Sequence, residues 1–374
     1  MKLVLKPVDT FFFRNHKSMN AGEDSFASGV FPPRPGTVYG ALRSAYMHKK
    51  SNFSTFAAGT DSELVRWMGT PSRHGEFALQ SIFLQDDQDL IFPLPLDNQV
   101  VLNTGGAAQA KPLRLIFDPE KKELGSDRSS FRLYGVTEEK SVSAAGNFVY
   151  RDDLIQSLLH PSPLPAYSLE RWLVKEAKVG IAHNWRTRQA REGMFYSYDA
   201  LRFKDGKNSS LVAFIGQGPD FSGVEMASLG AKQRPWSLRA ESRPELGVSR
   251  EDLVKSIEQT GIARIIIVTP ALWKYGVRPA CWDSNKDALL LEDREYPVLA
   301  AAIGRPLLEG GWDIVRRRPK PRCNAVPPGS VLYVEVRPGS ARNLVDAVHE
   351  ANFSDRLAQE GYGFALVGCG LLER

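Results

Sequence analysis

Two arginine-rich runs without an acidic residue are the first stretches that could do chemistry. Arg316-Arg317-Arg318-Pro319-Lys320-Pro321-Arg322 places five cations in seven residues, and Asn184-Trp185-Arg186-Thr187-Arg188-Gln189-Ala190-Arg191 sets three arginines beside an indole. A guanidinium suits phosphate because its planar fork donates two parallel hydrogen bonds. One such run alone reads as a solvated loop; two tilt the reading toward a polyanionic partner. A third stretch, Gly361-Tyr362-Gly363-Phe364-Ala365-Leu366-Val367-Gly368-Cys369-Gly370, carries four glycines in ten residues. It follows a charged helical segment and leads into a strand, so it fails as a dinucleotide fingerprint, which needs strand, glycines and helix in that order. It also lacks the Gly-Lys-Ser/Thr of a P-loop. Two readings are left. Residues without a Cβ let peptide N–H groups approach a ribose-phosphate chain or a flipped base, or Gly361 ends the helix and the other glycines let a strand pack closely.

Other chemistries find little support. Cys281, Cys323 and Cys369 are far apart with no Cys-x-x-Cys pair, which argues against a disulfide framework or a local thiolate zinc site. The six histidines form no i,i+4 pair, so no metal site is expected. Metal-independent RNA cleavage would need a general base. His16, beside Lys17, is the first candidate and His48 the second, although a lone histidine near a lysine is more often an incidental or RNA-contacting residue. No cofactor motif is present.

The elements that must carry these residues fit a soluble chain. With 374 residues, 43% hydrophobic, 24% charged and a net charge of +5, the sequence suits two domains of ordinary composition. No apolar stretch approaches the roughly 20 residues of a membrane span, and Lys6, Pro7 and Asp9 break the N-terminal apolar run, so a cytosolic protein is expected. Lys2 to Phe13 reads as a strand interrupted by Pro7. Thr37 is the expected N-cap of a helix over Val38 to Lys50. Two strands are expected within Phe77 to Leu96, loops and insertions over Thr104 to Gly146, and short helices at Asp152 to Leu159 and Ser168 to Val174. The second half reads as strand, helix, strand, strand, helix, strand: Ser210 to Gly216, Ser249 to Thr260, Ala263 to Pro270, Gly329 to Val336, Ala341 to Gln359 and the terminal glycine stretch. That is the ferredoxin-like β-α-β-β-α-β plan. The expected fold class is α+β, with two ferredoxin-like domains and long insertions, residues 1–205 and 206–374.

A resemblance narrows the function. Pro7-Val-Asp-Thr-Phe-Phe-Phe-Arg14, Asn20-Ala-Gly-Glu23 and Phe31-Pro-Pro-Arg-Pro-Gly-Thr-Val-Tyr-Gly-Ala-Leu-Arg43 are followed, in order, by Glu176-Ala-Lys-Val-Gly-Ile181, Gly193-Met-Phe-Tyr196, Leu229-Gly-Ala-Lys-Gln-Arg234, Val268-Thr-Pro-Ala271, Ala325-Val-Pro-Pro-Gly-Ser-Val331 and the terminal glycines. The ordered series resembles the family of subunit three of the Cmr (type III-B CRISPR) effector complex, in the RAMP superfamily, over nearly the whole chain. The chain departs from that pattern at Gly230-Ala231, where the family tends to a double glycine, and in Arg14-Asn-His-Lys-Ser18.

The resemblance implies RAMP architecture and a non-catalytic subunit in antiviral defence. Such a subunit grips the 5′ tag of the crRNA and docks the large palm-domain subunit on one side and a backbone RAMP subunit on another. A single-stranded tag is held by phosphate contacts, aromatic stacking and hydrogen bonds to splayed bases. The candidate RNA-binding residues are Arg14, His16, Lys17, Arg34, Arg43, Trp185, Arg186, Arg188, Arg191, Arg234, Gly361, Tyr362, Gly363 and Gly368. The alternatives are a guide-processing endoribonuclease of the same superfamily, or a scaffold without RNA contact that uses Phe11-Phe12-Phe13 and Trp282 toward a protein partner.

Overall fold

Lys2–Pro7 is a strand whose Leu3, Val4 and Leu5 are buried, and it lies between Ser209–Gln217 and Pro235–Glu241, antiparallel to both. The computed structural model that shows this describes residues 1–15, 26–71, 73–102, 108–119, 129–137, 139–313 and 318–373. Strands dominate, with helices packed against them, so the chain is α+β. Its contacts divide it into two units that interleave along the sequence: Met1–Gln88, Glu170–Arg243 and Leu308–Arg322 form unit 1; Asp89–Leu169, Pro244–Leu307 and Cys323–Arg374 form unit 2. A linear boundary at residue 205 does not describe them, because the strands that pair with the N-terminal strand lie more than 200 residues away.

In unit 1, Met226–Ser228, Pro235–Glu241, Lys2–Pro7, Ser209–Gln217 and Ala78–Asp86 run side by side, each antiparallel to the next. Helix α1 (Pro35–Lys50) buries Val38, Tyr39, Ala41, Leu42, Tyr46 and Met47. It begins earlier than the expected Thr37 cap because Pro35, whose missing N–H costs nothing in the first turn, sits at its start behind Arg34. Short helices α2 (Phe53–Ala58) and α3 (Ser62–Met68) follow, capped by Asn52 and Asp61, whose side chains accept from Thr55 N and Leu64 N. The expected helix at Ser168 to Val174 is only a turn, Leu169–Arg171. Trp172 is wholly buried and its indole donates to the buried Asp86 carboxylate at 3.1 Å, so the chain passes straight into the strand Leu173–His183. That strand forms a long antiparallel hairpin with Ala190–Phe203, joined in parallel by Phe26–Ala27.

In unit 2, one antiparallel sheet is ordered Asp89–Pro93, Asn147–Tyr150, Leu164–Ser168, Ala108–Pro112, Asn98–Leu102, Ser141–Ser143. The expected loop region 104–146 thus supplies strands, among them Arg114–Phe117 and Phe131–Tyr134. A second sheet centres on Ile262–Ile267, antiparallel to Val331–Glu335 on one side and Phe364–Cys369 on the other. Helices α4 (Arg151–Leu159), α5 (Arg250–Thr260, capped by Ser249) and α6 (Ala341–Val348) complete the unit. The expected first strand of the ferredoxin-like plan, Ser209–Gln217, belongs to unit 1. Helix α6 stops at Val348, not Gln359: Glu350 turns to positive φ, and Ala351–Asn352 pairs with Phe364–Cys369. A buried guanidinium ties the unit together. Arg264 meets Asp97 at 3.1 Å and donates to the Cys369 and Ser157 carbonyls, while the Tyr333 hydroxyl donates to the same Asp97 carboxylate at 2.8 Å.

The terminal glycines lie inside this packing. Gly363 has φ +75°, its N–H donates to Pro270 O at 2.8 Å, and a Cβ there would fall 2.6 Å from Ser354 Cβ and 2.7 Å from the Phe353 backbone. A Cβ on Gly368 would lie 2.9 Å from the Leu158 backbone of α4. Tyr362 is 3% exposed, packed with Leu272 and Ala325. Gly361 is no helix cap, because α6 ends well before it; its carbonyl accepts from Thr269 Oγ1 at 2.7 Å. In the chain itself these residues serve close packing rather than open backbone approach.

Two outcomes follow. Gly363→Val combines a left-handed backbone with a clash and should lower stability by about 2–5 kcal/mol, read as a large fall in Tm. His349, buried with Nδ1 accepting from Val367 N, is pushed down to about 4 by burial and then by the Arg250 charge. A depressed histidine is neutral in the fold and charges in the unfolded chain. Stability should therefore fall as pH drops from about 6.5 toward about 4, by up to about 3 kcal/mol; His349→Asn should flatten that part of a denaturation–pH profile.

Candidate nucleic-acid interface

The hairpin of unit 1 carries the best-placed candidates. Its strands end at His183 and Ala190, and the loop between them is closed by Asn184 N donating to Gln189 O at 2.9 Å and Arg188 N donating to Asn184 O at 2.8 Å. The Asn184 side chain also accepts from Arg186 N at 3.0 Å, and Arg188 adopts a positive φ of 55°. Polar turn residues and one left-handed position make this tip. Trp185 is 78% exposed, with the Arg186 guanidinium 5.0 Å above its ring. Arg188 is exposed as well. The tip therefore offers an indole face and two cations to solvent. Arg191 lies at the start of the returning strand, and its side chain is outside the description.

The body of the hairpin alternates. Toward the unit, Tyr198 and Ala200 pack with Phe12 and Ala27, and Tyr196 and Ala231 lie against them. Gly180 is opposite Tyr196, where a Cβ would fall within 2.2 Å of the ring. Glu176 links Lys178 and Arg202, each at 2.8 Å; the hydrogen bond from Lys178, then that from Arg202, holds its carboxyl below the usual range.

Phe11-Phe12-Phe13 is buried beneath, at 1%, 7% and 4% exposure, so it is not the exposed partner surface of the scaffold alternative. Phe11 pairs with Leu201 of the hairpin, and its ring packs on Phe203 and Trp236. Phe12 O accepts from Ala231 N at 2.8 Å, which fastens the loop 229–234 to the same tripeptide. Trp282, the other residue of that alternative, is half-buried in unit 2.

The remaining candidates separate. Arg14 is exposed, bridged to Gly29 beside the hairpin's third strand. His16 and Lys17 lie outside the described residues. Arg234 pairs with Asp9 at 2.8 Å and keeps part of its side chain in solvent. Arg43 points inward: it donates to the Met68 and Thr70 carbonyls and stacks over Phe56, fastening α1 to α3. Arg34 meets the buried Glu309 at 2.9 Å. Lys320 and Arg322 of the second basic run are exposed, and Lys320 lies close enough to His74 to help lower its pKa, after burial and Arg43. Gly361, Tyr362, Gly363 and Gly368 are buried in unit 2. Residue types alone missed Tyr196, Tyr198 and Lys232. The signal was the period-two aromatic pair in Phe195-Tyr196-Ser197-Tyr198 and the glycine at 230. Among the described residues no group of His, Cys, Asp and Glu could hold a metal ion, and no helix is long and apolar enough to cross a membrane.

This fold is shared with a chain of a type III-B Cmr-beta assembly. A chain in a cryo-EM structure of the type III-B Cmr-beta bound to cognate target RNA aligns over 89% of this chain and 86% of its own length, at 16% identity and a TM-score of 0.50. Another, from Cmr-beta bound to cognate target RNA and AMPPnP, aligns at 17% identity over 92% and 88%, with a TM-score of 0.48. A chain of a Csm3-Csm4 subcomplex from the type III-A interference complex covers 90% of this chain and 97% of its own at 10% identity, with a TM-score of 0.37. No curated protein matches. The family described as CRISPR-associated protein (Cas_Cmr3) matches residues 3–369, and the chain belongs to that family.

The Arg34–Glu309 pair gives a test that separates a structural from an RNA role. Removing one partner of a buried pair costs about 3–5 kcal/mol. Arg34→Met should lower Tm markedly, and Arg34→Met with Glu309→Leu should recover part of the loss; an Arg34 that served RNA alone would leave Tm unchanged.

Proposed function

We propose that this chain is the non-catalytic subunit of a type III-B CRISPR effector complex that grips the 5′ tag of the crRNA and docks the large palm-domain subunit and a backbone RAMP subunit in antiviral defence. Membership of the Cas_Cmr3 family supports the complex. So does the shared fold with a chain of a Cmr-beta assembly that holds cognate target RNA. Unit 2 carries the helix, strand, strand, helix, strand part of a ferredoxin-like plan in α5, Ile262–Ile267, Val331–Glu335, α6 and Phe364–Cys369, which supports RAMP architecture.

The observation that carries the RNA reading is the hairpin tip. An exposed indole with a guanidinium above it and a second exposed arginine two residues on is the combination that single-stranded RNA uses: a platform for a base and cations for the flanking phosphates. The exposed Arg14 adds a further cation to the same unit. Catalysis is assigned to none of these residues.

The experiment is RNA binding by the reconstituted complex as salt is varied. Trp185→Ala should weaken binding by about tenfold, within the range for one lost stack. Arg186→Ala with Arg188→Ala should reduce the slope of log K against log salt by about 1.4, because two phosphate neutralisations are lost. An unaltered slope together with unaltered affinity would overturn the hairpin's role.

A further inference from the structure

The loop Leu229–Arg234 holds an unusual backbone conformation. Lys232 and Gln233, neither a glycine, both have left-handed φ, +60° and +49°. Such residues cost of order 1–3 kcal/mol each and persist only where their surroundings over-determine them. The surroundings here do. Ala231 N donates to Phe12 O, Leu229 N donates to Arg234 O at 2.9 Å, and the Trp236 indole donates to Leu229 O at 3.1 Å. Arg234 is ion-paired to Asp9. Gly230, at φ +88°, allows the turn because a Cβ would fall 2.8 Å from Phe12 O.

What this scaffold displays is one ammonium group. Lys232 Nζ sits 5.7 Å from the Tyr196 ring centroid and 5.1 Å from that of Tyr198, and it donates to the Tyr198 hydroxyl at 3.4 Å. The two rings are two residues apart on one strand, 6.4 Å between centroids and nearly parallel at 14°. Among the described residues no carboxylate lies within ion-pair distance of Lys232. Lys178 beside it is neutralised by Glu176 at 2.8 Å. A lysine ammonium has three donors, of which the Tyr198 hydroxyl takes one at 3.4 Å. The tyrosine rings hold the cation through their negative faces without cancelling its charge, and its pKa is raised, first by the Tyr198 hydrogen bond. Lys232 itself is exposed.

We propose that Lys232, clamped by Tyr196 and Tyr198, is a positioning site for one phosphodiester of the guide RNA, which accepts from its ammonium. The inference rests on the RNA-binding reading above and assigns that reading a fixed anchor midway along the hairpin, distinct from its tip. A pre-oriented cation selects the register of a strand, because the conformational cost of immobilising it is met in folding.

The test uses the reconstituted effector complex and synthetic guide RNAs in which one linkage at a time is a neutral methylphosphonate. In the wild type, one linkage should weaken binding by about tenfold when neutralised, the range of a lost charge-assisted contact. In Lys232→Met the same linkage should have no further effect, and Lys232→Arg should restore sensitivity at that linkage or its neighbour. Lys232→Met should keep the wild-type Tm. If Lys232→Met responds to every linkage as the wild type does, this inference falls and the hairpin reading stands. If Lys232→Met loses a protein subunit from the complex while RNA affinity is kept, the lysine faces protein and the inference is overturned. If no linkage matters in the wild type, and the tip variants are also without effect, the RNA-binding reading falls and this one with it.

Discussion

The candidate interface hangs on three consecutive phenylalanines. Phe11 exchanges backbone hydrogen bonds with Leu201 at 2.8 and 2.7 Å, Phe12 O receives Ala231 N, and Phe13 O receives Val30 N. Their rings are buried against Phe203, Trp236, Phe31 and Tyr198. One short segment therefore sets the position of the hairpin strand, of the strained loop at 229–234 and of the chain at Val30. Aromatic burial of this size is the largest apolar contribution a few residues can make.

Charge in this molecule is sorted by burial. Arg264, Arg34 and Arg43 look like the other arginines in the sequence, yet each meets a partner inside its own unit: Asp97, Glu309, and the Met68 and Thr70 carbonyls. The wholly buried Arg264 would be prohibitively unfavourable without such partners, and the half-buried Arg34 and Arg43 spend these donors inside their own unit. Trp185, Arg186 and Arg188 at the hairpin tip are exposed and held by backbone hydrogen bonds of the turn, which leaves their side chains available. Lys232 is intermediate, restrained by tyrosines but not neutralised.

Much of this was legible in the sequence where a local signal was strong. The helix after Phe31-Pro-Pro-Arg-Pro, the Ser249-capped helix, and the strands Ile262–Ile267 and Val331–Glu335 follow from proline, capping and β-branched runs. The exposed Arg186 and Arg188 followed from an acid-free run with turn residues. The burial of Gly361 to Gly370 was not legible, because close packing and close ligand approach both require a missing Cβ and only the neighbours, Ser354, Phe353 and Leu158, distinguish them. The partners of Arg34 and Arg43 were not legible for a related reason: they are supplied by tertiary contacts at residues 309, 68 and 70. The division into units was hidden because each is assembled from segments that local patterning treats as unrelated.

That interleaving bears on how the chain comes to be folded. The first strand emerges from the ribosome with its edges unsatisfied, and the strands that cover them, near residues 210 and 238, are synthesised much later. Glu309, which answers Arg34, comes later still. Contacts of such long sequence separation form slowly, since the loops they close must be ordered first. A fragment that ends before residue 209 thus carries the Lys2–Pro7 strand with both edges open, the geometry that invites pairing with other chains.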